Sequence, residues 1–520
     1  MITRGILKKG EYFDSVSLMM VAKTINELEG VLDSAVVMGT RENKSLLEAS
    51  GLLISGFNEA EDTDLLIAIT AESKQIADSI LSKIDEQLQN LRVRHEYKQE
   101  FTPRSIDGAL EVVPDANLVL ISVPGKYAGD QAMKALQKGL HVMIFSDNVP
   151  LEKEIELKQY AKKKGLLVMG PDCGTAIING IPLAFANVVT RGDIGVVAAS
   201  GTGLQEVSSI ISNRGAGISQ AIGTGSRDIT KDVNGLMFIE SVTRLLRDKN
   251  TKVILLISKP PHREVIDKIA AVLKNAKKPV VSVFLNTDDD LIKSYGILAA
   301  ATLEEGALMA TILSIGENIE DVTKMIVERD FKLKIIATSE VKKLTKGQKY
   351  IRALFSGGTF CSEAQVIFGA TLKNVYSNTP VGTSRQLRNS WTSEQHTIVD
   401  FGADEFTLGK PHPMIDYSIR NKRIIEEAYD PETAVILFDI VIGYGANLNP
   451  LAEVVPVIRE TKNIAKNNRR YLPVICSVTG TDKDPQNRTC VVNGLKEAGA
   501  LVMESNAAVS KLAAFIIENL

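Results

Sequence analysis

From residue 105 to about 315 the chain repeats one pattern. A short, continuous apolar run is followed by a stretch in which apolar positions recur every three or four residues. Residues 118–123, 141–145 and 166–169 are such runs, and 194–198, 253–257 and 280–284 continue the series, with a helical stretch at 131–138 after the first. Continuous apolar strands alternating with amphipathic helices predict parallel sheets covered on both faces. The pattern restarts at 351–355 and returns at 397–400, 434–442, 472–478 and 500–503, which predicts a further parallel unit closing the chain. Residues 2 to about 95 read differently. Strands are expected at 34–38 and 65–70, helices at 15–28 and 73–88, together a small α+β unit of ferredoxin-like type. Between the parallel units, 332–349 gathers Lys342, Lys343, Lys346 and Lys349 near Ser339 and Thr345 and reads as a linker, with a solvated helix as the alternative. The fold class is thus α/β: several doubly wound, Rossmann- or flavodoxin-like domains and a small N-terminal α+β domain.

Composition narrows the function. A chain of 520 residues exceeds what one core usually organises. Sixty basic against 63 acidic residues leave a formal net charge of -3, so no broad basic footprint for nucleic acid is present. No apolar run reaches the roughly 18 residues of a membrane span, and the charged N-terminus has no apolar stretch behind it, so a cytoplasmic protein is expected. Cys173, Cys361, Cys476 and Cys490 form no CxxC pair, and five scattered histidines form no HExxH motif; neither disulfides nor a catalytic metal is expected.

Two turns stand out because they repeat. Ser200-Gly201-Thr202-Gly203 and Ser356-Gly357-Gly358-Thr359 each follow an apolar strand and open a helix. Such a turn lets free backbone N–H groups approach an anion where the helix dipole favours negative charge, and phosphate is the natural guest. A single helix start contributes about 0.3–1 kcal/mol, up to ~2 when partly buried, so one copy holds phosphate weakly and two facing copies would hold it well. Close helix packing explains a glycine-rich turn equally well. Gly170-Pro171-Asp172-Cys173-Gly174 follows a strand at the sheet edge where α/β proteins bind ligands. Cys173 reads more readily as a buried structural thiol than as a nucleophile, and Asp172 as either an acid or a turn former. Gly223-Thr224-Gly225 precedes Arg227, a carboxylate- or phosphate-binding fork or a surface ion pair. His412, between Pro411 and Pro413, is presented to a ligand or braces a loop, and histidine is the commonest acid–base group. Gly443, Gly445 and Asn447 end another strand and line a pocket or start a helix.

At these residues the chain resembles the FdrA family, relatives of the succinyl-CoA synthetases. Residues 105–315 resemble the synthetase alpha subunit through Gly170–Gly174, Ser200–Thr202 and Gly223–Gly225. Residues 350–520 resemble the carboxy-terminal domain of the beta subunit through Ser356–Gly358, Asp400–Gly402 and Asp439–Gly445. The strings SGTGLQEV, SGGTFCSEA and GKPHPMID are the FdrA-like ones. The resemblance implies a domain order of 1–100 (ferredoxin-like), 101–188 (degenerate CoA-binding-like Rossmann), 189–331 (alpha-like, flavodoxin-like), 332–349 (linker) and 350–520 (beta C-terminal-like, flavodoxin-like). It also implies that two helices, one from each half, aim their N-termini at one phosphate.

Three synthetase devices are absent: the ATP-grasp module, any histidine within 284–299 where the phosphorylated one should lie, and the glycine-rich CoA loop. A cradle that outlasts these losses suits an acyl phosphate without ATP. The resemblance therefore implies a subunit of an oxamate carbamoyltransferase, converting oxalurate and phosphate to oxamate and carbamoyl phosphate in anaerobic allantoin breakdown. Phosphate or carbamoyl phosphate would be the ligand, Arg227, His412 and Asp172 the chemical groups, and Cys173, Gly174, Gly223, Gly225, Gly443, Gly445 and Asn447 the substrate pocket. Other subunits of the assembly are the expected partners. CoA binding, a homo-oligomer, an acyl-CoA synthetase-like enzyme borrowing a separate ATP-binding chain, and a noncatalytic scaffold or sensor stand as alternatives.

Overall fold

The computed structural model describes residues 1–520 except 12, 14, 27, 85–102 and 408–410. The chain divides into two units, Met1–Ala116 with Asp404–His412, and Asn117–Ala403 with Pro413–Leu520. In the first, strands β1 (Ile2–Lys8), β2 (Val31–Met38) and β3 (Leu65–Ala71) form an antiparallel sheet in the order β1-β3-β2, with helices at Ser15–Asn26 and 74–84. Leu65, Ile67 and Ile69 alternate toward one core and Leu66 and Ala68 toward a second, the two-residue period of a strand covered on both faces. The expected helix at 73–88 is described only as far as residue 84.

The second unit is built from parallel sheets. β4 (Leu118–Ile121), β5 (His141–Ile144) and β6 (Val168–Met169) pair in parallel. A seven-stranded sheet follows, from β7 (Thr175–Ile178), β8 (Ile181–Ala184), β9 (Arg191–Ala198), β10 (Ile218–Gly223), β11 (Val253–Ser258), β12 (Val280–Phe284) and β13 (Leu298–Ala299). Its order is β13-β12-β11-β9-β10-β7-β8, parallel except at the β7–β8 hairpin edge. A second seven-stranded sheet, wholly parallel, contains β14 (Tyr350–Phe355), β15 (Val375–Ser377), β16 (Arg385–Gln386), β17 (His396–Asp400), β18 (Thr433–Val441), β19 (Val474–Thr479) and β20 (Leu501–Met503), in the order β16-β15-β17-β14-β18-β19-β20.

The central strands β9, β11, β14 and β18 are the buried apolar runs of the sequence, and residues of both large sheets join one continuous core from Ile177 to Ile516. Polar bonds reinforce that join: the Asn187 amide donates to Ile442 O at 2.7 Å and to Asp484 Oδ2 at 2.9 Å. The connection between the sheets is helical. Residues 332–341 complete the 22-residue helix Glu320–Val341, whose Leu333 and Ala337 are buried while its lysines stay in solvent. No described helix is long and apolar enough to cross a membrane.

Candidate functional site

Both repeated turns lie at the carboxyl ends of central strands. β9 runs into Ser200 and the helix Gly201–Asn213; β14 runs into Ser356, Gly357 and the helix Gly358–Thr371. Ser200 is an extended N-cap whose Oγ accepts from the Gly203 N–H at 3.0 Å, whereas the second helix begins at Gly357 with no side-chain cap at all. Its first N–H groups are the orphans that every helix start leaves for water, a side chain or a ligand.

The two helix starts meet. The Ser200 and Thr359 hydroxyls share a short hydrogen bond. A Cβ on Gly357 would lie 3.0 Å from Thr202 Cγ2, and one on Gly203 would lie 3.3 Å from Thr359 Cγ2. Both distances are tighter than a Cβ ordinarily makes, so glycine eases contact between the two sheets as well as access to the backbone. Ser200, Gly201, Thr202 and Gly358 are half-buried and remain open to solvent.

Charge converges on the same place. Lys259, the residue after β11, and Asp400, the last residue of β17, flank the uncapped start: Lys259 Nζ lies 3.7 Å and Asp400 Oδ2 2.8 Å from where a Cβ on Gly358 would sit. Lys259 is half-buried. Behind the turn, Ser356 is fully buried, and Asp439 Oδ1 accepts its N–H at 2.7 Å while Oδ2 accepts its hydroxyl at 2.5 Å. Arg420, also fully buried, donates to Asp439 O at 2.6 Å and stacks on Tyr417 and Phe438. Ser356 therefore fixes the turn and has no donor left for a ligand. Lys259, Asp439 and Arg420 were not among the expected site residues.

One turn further along, each helix presents a glutamate at its sixth residue, Glu206 and Glu363. The buried Asn506 bridges them, its N–H donating to Glu206 at 3.0 Å and its amide to Glu363 at 2.7 Å. Burial, with Glu206 and Glu304 close by, pushes the Glu363 carboxyl up to about 7.

The other expected residues are placed as follows. Gly174 and Thr175 adjoin Gly201, and Gly223 and Gly225 pack on the 170–175 loop, where a Cβ on Gly225 would meet Pro171 O at 2.2 Å. Ser226 donates to Asp172 at 3.2 Å. Cys173 is buried, and desolvation pushes its thiol up to about 12, so it carries no thiolate at neutral pH. Cys361, on the second helix, is raised to about 12 by the same desolvation. The Arg227 guanidinium is held in an ion pair with Glu154 at 2.8 Å and donates to Val149 O at 2.7 Å, contacts that run to neither turn. Glu154 also pairs with the buried Lys158 at 2.7 Å. Gly443 and Gly445 adopt φ of +117° and +78° and pack against Ala186 and Phe185, while Asn447 donates to Ile415 O and Glu453. Gly443 and Gly445 thus join sheet to sheet, whereas the contacts of Asn447 stay within the second sheet's own segment. His412 belongs to the first unit, and desolvation lowers its imidazole to about 4, so it is neutral at pH 7.

Three family models match the chain: CoA-ligase over residues 354–516, the CoA binding domain over 190–285, and the AllF heavy metal-associated domain over 1–103. Residues 1–103 contain no cysteine and a single histidine, His95, which lies outside the described residues. Among the described residues no cluster of three or more His, Cys, Asp or Glu is placed to hold a metal ion, so the thiolate site that the name suggests does not fit this segment. The chain is 40% identical to the uncharacterised protein YahF of Escherichia coli K12, over 99% of this chain and 98% of that one. It is 27% identical to the alpha subunit of the ADP-forming succinate–CoA ligase of Methanothermobacter thermautotrophicus, over 44% of this chain and 78% of that subunit. Among solved structures, PH0766 of Pyrococcus horikoshii OT3 superposes with a TM-score of 0.34 at 18% identity, covering 81% of this chain and 87% of that one.

Proposed function

The chain belongs to the FdrA family of succinyl-CoA synthetase-like proteins, and on that premise we propose that it is the phosphate-handling subunit of a carbamoyltransferase acting on oxalurate. The observation that supports this reading is the meeting of the Ser200 and Gly357 helix starts beside Lys259. Two partly buried helix starts contribute about 1–4 kcal/mol to holding an anion, and a charge-assisted hydrogen bond from Lys259 about 1.5–3 more. The sum corresponds to phosphate dissociation constants between roughly ten micromolar and ten millimolar.

In the reaction, a phosphate oxygen attacks the carbamoyl carbon of oxalurate. The bond from that carbon to the oxamate nitrogen breaks, the nitrogen takes up a proton, and carbamoyl phosphate and oxamate are released. The helix-start N–H groups and Lys259 hold the phosphate in line and stabilise the oxyanion that develops. Arg227, paired with Glu154, is given no role in this reading.

The test is formation of carbamoyl phosphate from oxalurate and phosphate by the purified chain together with its partner subunits; no product from the full assembly would end the proposal. Lys259→Ala is expected to weaken phosphate binding about 10- to 100-fold by calorimetry, and Asp400→Asn to strengthen it. A second reading, a CoA ligase that takes its ATP-binding part from another chain, is favoured by the CoA-ligase and CoA binding domain matches. It requires heat of CoA binding in the same calorimeter, and no heat would discard it.

A further inference from the structure

The helix Glu320–Val341 buries Val322, Leu333, Ala337 and Glu340 along one side. On the other side Val327, Phe331 and Ile335 recur every fourth residue and stand 63%, 64% and 57% exposed. Two residues are about 200° apart around a helix, so Phe331 and Leu333 face opposite ways and the stripe points directly away from the core. Isolated exposed apolar residues are ordinary; a three-residue stripe on one helix face is an unpartnered surface.

The charges around the stripe select its partner. Glu320 and Asp321 occupy the first turn, and Lys342 stands at the C-cap. Phe331 is the midpoint both of Val327 and Ile335 and of Glu320 and Lys342, the last two lying about 16 Å to either side along the axis. A second copy of this helix, laid antiparallel about a two-fold axis through Phe331, sets Val327 against Ile335, Phe331 against its own equivalent, and the acidic start against Lys342 at both ends. A parallel copy would oppose like charges at both ends. Symmetry about one residue is what an isologous interface requires and what an unrelated partner does not.

We propose that this stripe is a homodimer interface in which the Glu320–Val341 helices of two copies pack antiparallel about Phe331. Three side chains supply only on the order of a few hundred Å² per copy, against ~800 Å² per partner in a standard interface, so the association is concentration-dependent and relies on its charged ends for register.

Sedimentation equilibrium of the full chain tests it. The wild type is expected to pass from 56.5 kDa to twice that mass as concentration rises. Phe331→Glu, at an exposed position, is expected to stay monomeric with an unchanged unfolding midpoint. Glu320→Lys is expected to weaken the dimer about five- to tenfold, and Glu320→Lys with Lys342→Glu to restore it. A wild type that is monomeric throughout, a Phe331→Glu variant that dimerises normally, or a double variant no tighter than the single one would each overturn the proposal.

Discussion

Gly357→Ala tests the meeting of the two helix starts with a single carbon atom. Gly357 has φ −108° and ψ 115°, ordinary extended backbone, so alanine brings no backbone strain of its own. Its Cβ would lie 2.8 Å from Phe360 Cδ2, 3.0 Å from Thr202 Cγ2 and 3.1 Å from Thr202 Cβ. Carbon atoms settle at about 3.5–4.0 Å, so the two turns must part by ~0.5–1 Å. A hydrogen bond of about 2.9 Å to a shared anion then stretches to roughly 3.5 Å, beyond useful length, and one helix start's share is lost. That is about 1–2 kcal/mol, or ~5- to 30-fold in the phosphate dissociation constant. Overpacking also lowers stability by about 1–3 kcal/mol. A control separates the two effects: Gly494→Ala places a Cβ 2.7 Å from Leu451 Cδ1, in helix packing well away from either turn in sequence, and should lose stability without losing phosphate. Calorimetry with inorganic phosphate and urea titration on each variant give both numbers. Unchanged affinity in a folded Gly357→Ala protein, or equal loss in Gly494→Ala, would mean that the two helix starts do not share the anion.

Other outcomes follow from the same geometry. Asp439→Ala keeps the Arg420 bond to the 439 carbonyl but removes the carboxylate 3.4 Å from the buried guanidinium and the acceptor of Ser356, so stability is expected to fall by about 3–5 kcal/mol, read from the urea midpoint; a change under 1 kcal/mol would mean that the pair is dispensable. Glu363 has its folded carboxyl raised to about 7 from an ordinary 4.5, so its contribution is full below the unfolded value and is lost as pH rises through the folded one. Stability should therefore decline from about pH 5 to pH 8, and Glu363→Gln should flatten the decline; a rise over that range has the wrong sign. Cys490 is exposed while Cys173, Cys361 and Cys476 are buried with thiols near 12, so one thiol per chain should react with a disulfide reagent under native conditions, and none of the buried three.

The sheets were legible because their central strands are continuous apolar runs. β9, β11, β12, β14, β18 and β19 fall within a few residues of the runs that announce them. Other elements hid for identifiable reasons. β7 and β8 form a short hairpin broken by Asn179 and Gly180, and β10 mixes Ser219 and Gln220 into its apolar residues. The lysines of 332–349 disguised the end of a helix: Lys332 and Lys334 lie on its solvated side and the rest follow its last residue, while Leu333, Ala337 and Glu340 face inward.

At the site, the repeated Ser-Gly turn was visible in the sequence, but whether its copies face each other depends on how two sheets pack across more than 150 residues of chain. Lys259 left a signal: a lone basic residue directly after an apolar strand, at the edge where parallel sheets bind ligands. Asp439 left another, one carboxylate inside the apolar run Thr433–Val441. The Arg227–Glu154 ion pair was not legible, because Glu154 lies 73 positions earlier, on a helix that sequence alone does not bring beside it.

A crystal structure of the chain soaked with phosphate tests whether the two helix starts share one anion. One tetrahedral density is expected between the Ser200 and Gly357 helix starts, within about 2.7–3.2 Å of backbone N–H groups from both helices and of Lys259 Nζ. A cleft that stays closed by the Ser200–Thr359 hydrogen bond at saturating phosphate, with no anion beside Lys259, would contradict it.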